Sequence, residues 1–176
     1  MKVISVFGSA RPKPDTPDYV QAYEVGRLLA KNGYAVATGG YMGTMEGVSK
    51  GASEAGGHVI GVTSQQIELY RPIAPNQWVA EEIKYDSLRE RMLHLVMNND
   101  GAIVLPGGVG TLAELALAWN LIQVDEIGAR PFVLLGDIWK RTFEAFISAD
   151  YVTDETAAIA QYADTLEQAV QLIMKG

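Results

Sequence analysis

The chain has 176 residues, 48% hydrophobic and 20% charged, with a net charge of −7; that length suits one α/β-sized core, so residues 1–176 are expected to form a single domain. The acidic balance argues against a surface that tracks a phosphate backbone, and so against nucleic acid as a partner. The absence of cysteine excludes disulfides, thiolate nucleophiles and Cys-based metal sites, leaving His58 and His94 as the imidazoles.

Val3 to Phe7 reads as a first strand, entered straight from Met1-Lys2. Its apolar run is too short for a signal-peptide core, and no apolar run reaches membrane-spanning length, so the expectation is a soluble, unprocessed, cytoplasmic protein with no membrane partner. Tyr19 to Lys31 carries apolar residues at helical spacing, closes on Asn32-Gly33 and hands over to a strand at Tyr34 to Ala37. The plan repeats with a helix from Gly43 to Ala55, a stop at Gly56-Gly57 and a strand from His58 to Val62. Between Thr63 and Tyr85 the periodicity fades and prolines interrupt, which predicts a long loop acting as a lid or partner surface. Asp86 to Asn98 resumes helical spacing. Ala102 to Leu105 is a fully apolar strand, and Thr111 to Val124 is a helix with Leu112, Leu115, Trp119 and Ile122 on one stripe. Pro131 to Leu135 and Trp139 to Ile147 add another strand and helix, and Asp164 to Met174 is a terminal amphipathic helix.

Short β-branched runs alternating with helical stretches predict an α/β fold, a Rossmann-like doubly wound parallel sheet with helices on both faces. Three strands end in small or glycine-rich turns: Gly8-Ser9, then Gly39, Gly40 and Gly43 within Thr38 to Gly43, then Gly107, Gly108, Val109, Gly110 and Thr111 after Pro106. Strand C-termini of a parallel sheet share one edge, so the three turns can converge on one crevice. Glycines there let backbone N–H groups approach an anion, and a helix opening at Thr111 aims its positive dipole end at the same place, so a phosphate is the natural occupant. Tight strand-to-helix turns also use glycine for steric reasons alone, and no Walker or G-x-G-x-x-G loop is spelled, which disfavours an ATPase or a dinucleotide enzyme.

Glu114 stands three residues after Thr111, beside the proposed phosphate loop. Thr-x-x-Glu is also the spacing of a capping box, and it recurs at Ser87–Glu90 and Asp164–Glu167. Arg91 falls opposite a predicted stripe of Leu88, Met92 and Leu95, where a solvated arginine is the ordinary expectation.

Pro106 to Glu114, PGGVGTLAE, matches the PGGxGTxxE motif of the LOG family, whose members are often mislabelled lysine decarboxylases, and Thr38 to Met45 resembles that family's GGGxxGLM motif with Thr for the first glycine. Gly8-Ser9 and the placement of Arg91 fifteen residues before Pro106 are similar too, and the resemblance runs from about Val3 to Val124. It implies hydrolysis of a nucleoside 5′-monophosphate, AMP or a cytokinin riboside monophosphate, to free base and ribose 5-phosphate, with no cofactor and no metal. It further implies Arg91 and Glu114 as catalytic residues, with Gly8, Ser9, Gly39, Gly40, Gly43 and Gly107 to Thr111 holding the substrate and its phosphate. A homodimer is also implied, with the Arg91 helix near the interface. Cleavage of an N-glycosidic bond builds an oxocarbenium-like ribose that a carboxylate can stabilise or attack through an activated water. Arg91 cannot donate a proton at neutral pH and suits charge stabilisation and orientation.

The chain departs from the family pattern at Met92, where a lysine is usual, at Leu88-Arg89 in place of Met-His, at Ala118 for a threonine and at Glu46 for a glycine, the last expected at the surface. Pyridoxal chemistry needs a Schiff-base lysine, and none lies in the three turns. The rival reading from another class is a non-catalytic nucleotide or molybdenum-cofactor binding or carrier protein, favoured by the loss of the lysine at Met92.

Overall fold

In the computed structural model, which describes residues 1–148 and 151–176, the strands are β1 (Val3–Phe7), β2 (Ala35–Thr38), β3 (Val59–Ser64), β4 (Glu81–Tyr85), β5 (Gly101–Val104), β6 (Phe132–Leu135) and β7 (Gln161–Ala163). The helices are α1 (Pro17–Lys31), α2 (Thr44–Glu54), α3 (Gln65–Tyr70), α4 (Leu88–Met97), α5 (Val109–Gln123), α6 (Asp137–Ile147), α7 (Asp154–Ile159) and α8 (Leu166–Lys175). All seven strands pair in parallel in the order β4-β3-β2-β1-β5-β6-β7. The chain runs outward from β1 to β4, then returns to the other side of β1 with β5. The order therefore reverses between β1 and β5, which is where open α/β sheets form a ligand crevice.

Strands buried on both faces are built mainly of apolar residues, and β1, β2, β5 and β6 are, with Ser5 and Thr38 as buried polar positions. Successive side chains go to opposite layers. Ile4, Val6, Val36, Ile103, Val133 and Leu135 meet α1, α2 and α8 through Val25, Leu29, Val48, Ala52, Val170 and Ile173. Phe7, Ala37, Val104, Phe132 and Leu134 meet α4, α5 and α6 through Leu95, Leu115, Trp119, Trp139 and Phe143. Ser5, in the central strand, is fully buried, and its Oγ donates to the carbonyl of Leu95 at 2.7 Å, tying β1 to α4. No helix among the described residues is long and apolar enough to cross a membrane.

The predicted loop from Thr63 to Tyr85 is the main departure. It contains the end of β3, the short helix α3, an irregular strap and the edge strand β4. β4 reads Glu-Glu-Ile-Lys-Tyr, with charged side chains largely exposed. An edge strand tolerates such charge and is protected by it from pairing with other chains, so the apolar signature is missing. Three residues of β7 and the six of α7 were likewise too short to leave a periodic signal. Other boundaries moved by a residue or two, and one shift matters: α5 opens at Val109, not at Thr111.

Candidate active site

At the β1/β5 reversal the three glycine-rich turns meet. Ser9, after β1, accepts with its carbonyl oxygen from the Thr44 backbone N–H at 2.8 Å and from Thr44 Oγ1 at 3.1 Å, lacing the first turn to the start of α2. Its own hydroxyl accepts from the Arg11 N–H at 3.1 Å. Gly43 caps α2 with φ 75°, and a Cβ on it would lie 2.3 Å from the Ser9 carbonyl oxygen, so neither the angle nor the space admits a side chain. Gly8 and Gly40 are closed in by Thr44 and Thr63 in the same way.

The third turn is different. Gly108 is the N-cap of α5 and no side chain caps that end, so the first N–H groups of the helix have no partner of their own. Gly108, Val109 and Gly110 are exposed, and open space surrounds the positions a Cβ would take on both glycines. Gly107, by contrast, packs against the buried Thr111. This turn presents bare backbone donors on a positive helix end, the arrangement that accepts an anion.

With α5 opening at Val109, Thr111 is the third helical residue and Glu114 the sixth, too far in for a capping box. Ser87–Glu90 does form that box on α4, with Ser87 Oγ accepting from the Glu90 N–H and the Glu90 carboxylate from the Ser87 N–H, both at 3.2 Å. At the third look-alike the cap is one residue later, Thr165 accepting from the Gln168 N–H. Glu114 is instead turned into the protein, 8% exposed, and faces Arg91, 6% exposed.

The solvated position expected for Arg91 from helical spacing is therefore corrected. The capping box fixes where α4 begins, and the face it then turns to the sheet carries Arg91, Leu95 and Val96, while Leu88, Leu93 and Met97 are exposed. Arg91 Nε donates to the Val62 carbonyl oxygen at 2.8 Å, and Nη1 reaches Glu114 Oε1 at 3.4 Å. The guanidinium lies over the Tyr41 ring at 5.9 Å and beside Met45 Sδ at 4.0 Å. A Cβ on Gly39 would be 1.8 Å from Nη2, so the backbone of that turn forms the floor on which the guanidinium rests.

Burial pushes the Glu114 carboxyl up from the ordinary value near 4.5 to about 6, and the Arg91 charge only partly opposes it. The long Arg91 contact explains the partial opposition, since 3.4 Å is at the weak end of hydrogen bonding. A carboxylate so poised is ionised at neutral pH yet holds a proton readily, which suits general base work.

Tyr41, Met45 and the carbonyl of Val62 belong to this site and went unnoticed in the sequence, although Tyr41 stands inside a glycine turn already singled out. Glu46 is half-buried and accepts from the Tyr19 hydroxyl at 3.3 Å, held against α1. Met92 is half-buried and Ala118 buried. Among the described residues no group of three or more His, Asp or Glu comes together in a way that could hold a metal ion.

Residues 1–155 match the SLOG cluster4 family. The chain belongs to that family. It is similar to the cytokinin riboside 5′-monophosphate phosphoribohydrolase of Mycobacterium tuberculosis, 38% identical over 100 residues, 56% of this chain and 52% of that protein. The protein of that name from Rhodococcoides fascians is 30% identical over 139 residues, covering 77% of this chain and 68% of its own length. Against several curated plant relatives this SLOG chain spans about half their length or less. The fold is also that of the molybdenum cofactor binding protein from Rippkaea orientalis, with TM-score 0.77 and 27% identity over 99% of this chain and 96% of that one. The resemblance to the LOG proteins read from PGGVGTLAE thus stands on much more of the chain than the motif.

Proposed function

We propose that this SLOG protein hydrolyses the N-glycosidic bond of a nucleoside 5′-monophosphate, an AMP or cytokinin riboside monophosphate, to free base and ribose 5-phosphate. The observation that carries the reading is the buried Arg91–Glu114 pair beside an uncapped, exposed glycine turn at the β1/β5 reversal. Relatives named phosphoribohydrolases support it.

The phosphate sits on the N–H groups of Gly107 to Thr111, with Gly8, Ser9, Gly39, Gly40 and Gly43 forming the walls, and its binding energy fixes the ribose relative to Glu114. As the C1′–N bond breaks, the electron pair leaves with the base and positive charge grows on the ribose. The ionised Glu114 stabilises that charge and takes a proton from the water whose oxygen bonds to C1′; the departing base is protonated from solvent. Arg91 keeps Glu114 ionised and oriented. The resemblance adds a homodimer, and exposed apolar side chains lie on α4 (Leu88, Leu93 and Met97) and on α5 (Leu112).

A second reading, a carrier that binds a nucleotide or pterin phosphate without turning it over, is favoured by the full-length similarity to a molybdenum cofactor binding protein and by Met92. Chromatography of the protein incubated with AMP, cytokinin riboside monophosphates and other nucleoside monophosphates separates the two. Release of base and ribose 5-phosphate, absent in Glu114→Gln although that variant still binds nucleotide, supports the hydrolase. Thermal stabilisation by ligand with no product from any nucleotide favours the carrier.

A further inference from the structure

The irregular strap between α3 and β4 is tied to the site through one side chain. Asn76 Nδ2 donates to the carbonyl oxygens of Gly40 at 3.0 Å and Tyr41 at 2.9 Å, and lies 3.4 Å from Ser49 Oγ. Its backbone N–H donates to the Gly40 carbonyl as well, at 2.8 Å, and its Oδ1 accepts from the Trp78 N–H at 3.1 Å. Gly40 and Tyr41 are both buried, and Gly40 holds φ 77°, so a carbonyl of this turn left without its donor is costly.

What rests on this turn is the seat of Arg91. Gly39 lies under Nη2, and the Tyr41 ring lies against the guanidinium. The Tyr41 hydroxyl is fixed in turn, accepting from the Ser64 N–H at 2.9 Å. The far end of the ring is thus pinned to β3 and the near end, its backbone, to Asn76. We propose that Asn76 is a positioning residue for the Arg91–Glu114 pair, its amide holding the Gly40-Tyr41 carbonyls so that the turn keeps the guanidinium directed at Glu114. The inference deepens the hydrolase reading and rests on it for its catalytic consequence.

Without the Asn76 amide the Tyr41 carbonyl loses that donor and the Gly40 carbonyl keeps the residue-76 backbone N–H alone, so the turn shifts to recover a partner and Arg91 loses its floor. The charged group acting on Glu114 is Arg91 of α4; the Tyr41 ring lies against the guanidinium, and the Tyr41 hydroxyl donates to Glu68 of α3 at 3.4 Å. Displacing Arg91 therefore removes the one opposing charge at Glu114, and its carboxyl must titrate higher.

The test follows the Glu114 side-chain carboxyl by carbon-13 NMR across pH 4 to 9 in the full chain, the resonance being assigned with Glu114→Gln. In Asn76→Ala the midpoint is expected to rise by about half a unit or more, and kcat on the best nucleotide to fall by about ten- to a hundred-fold with KM little changed. Asn76→Asp keeps the size and the acceptor for Trp78 but sets an oxygen against two carbonyls, so it fails alike. Asn76→Ser, which can donate to one carbonyl, falls between and serves if Asn76→Ala does not fold. A folded Asn76 variant with an unmoved Glu114 midpoint overturns the proposal. If the wild-type protein hydrolyses no nucleotide, the hydrolase reading fails by itself, while the titration still reports whether Asn76 positions the pair.

Discussion

Arg91 and Glu114 come from different helices, 23 residues apart in the chain, and meet at 3.4 Å with side chains only 8% and 10% exposed. The pair is buried enough for desolvation to dominate and loose enough that the guanidinium does not cancel it. Its two members consequently sit far from the behaviour of a tight surface ion pair, whose carboxyl would titrate low.

The first consequence is in the pH profile. The proposed hydrolysis needs ionised Glu114, whose carboxyl is raised to about 6, so the rate should be flat near neutrality and fall as pH drops through about 6. A kcat/KM profile from pH 4.5 to 8 measures this; an acid limb at the ordinary value near 4.5 would point to another carboxylate.

Arg91→Ala should lower kcat/KM by about 10²-fold or more. Breaking a buried pair costs about 3–5 kcal/mol where the remaining charge cannot be relieved. Here it can be, because Glu114 takes up a proton at its raised pKa. Thermal unfolding at pH 5 and pH 8 should therefore show the larger loss at pH 8, where the orphaned carboxylate must stay charged.

Two glycines give opposite outcomes. In Gly39→Ala the new methyl meets Arg91 Nη2 and Met45 Sδ, so activity is expected to collapse as the guanidinium is pushed off its floor. In Gly108→Ala the methyl enters open space at φ −97°, which alanine adopts freely, so the melting temperature should hold while KM for nucleotide rises. Parallel melts and kinetics of the two variants separate a packing glycine from one that faces ligand. Unchanged KM in Gly108→Ala would remove that turn from the proposed phosphate site.

Sedimentation should report a dimer. Leu112→Glu, on the exposed face of α5, should shift it toward monomer without unfolding the chain, since Leu112 is not part of the core. A monomer in the wild-type protein would leave the apolar residues of α4 and α5 without the partner assigned to them.

Much of this protein was legible before any coordinates. The strands that carry the crevice are buried on both faces, so their composition is mainly apolar, and each leads within a few residues into glycines. The resemblance of PGGVGTLAE to the LOG motif, with an arginine fifteen residues before it, is what implied Glu114 and Arg91. The sequence could not say whether Glu114 capped its own helix, because Thr-x-x-Glu fits a cap or an active site until the helix start is known. That start, at Val109, depends on how the turn leaves β5. Nor could helical spacing show which face of α4 is buried, since its apolar residues fall all round and the sheet chooses the side with Arg91. The edge strand β4 and the Asn76 tie were invisible for a related reason: charged edges leave no apolar period, and a hydrogen bond between residues 36 apart leaves no local pattern at all. Composition and periodicity determined the layers and the crevice, because burial acts on each residue locally, while the chemical groups were implied by the resemblance. Only the tertiary structure decided which groups face one another and at what distance, and so which carboxylate is raised and which arginine is held to meet it.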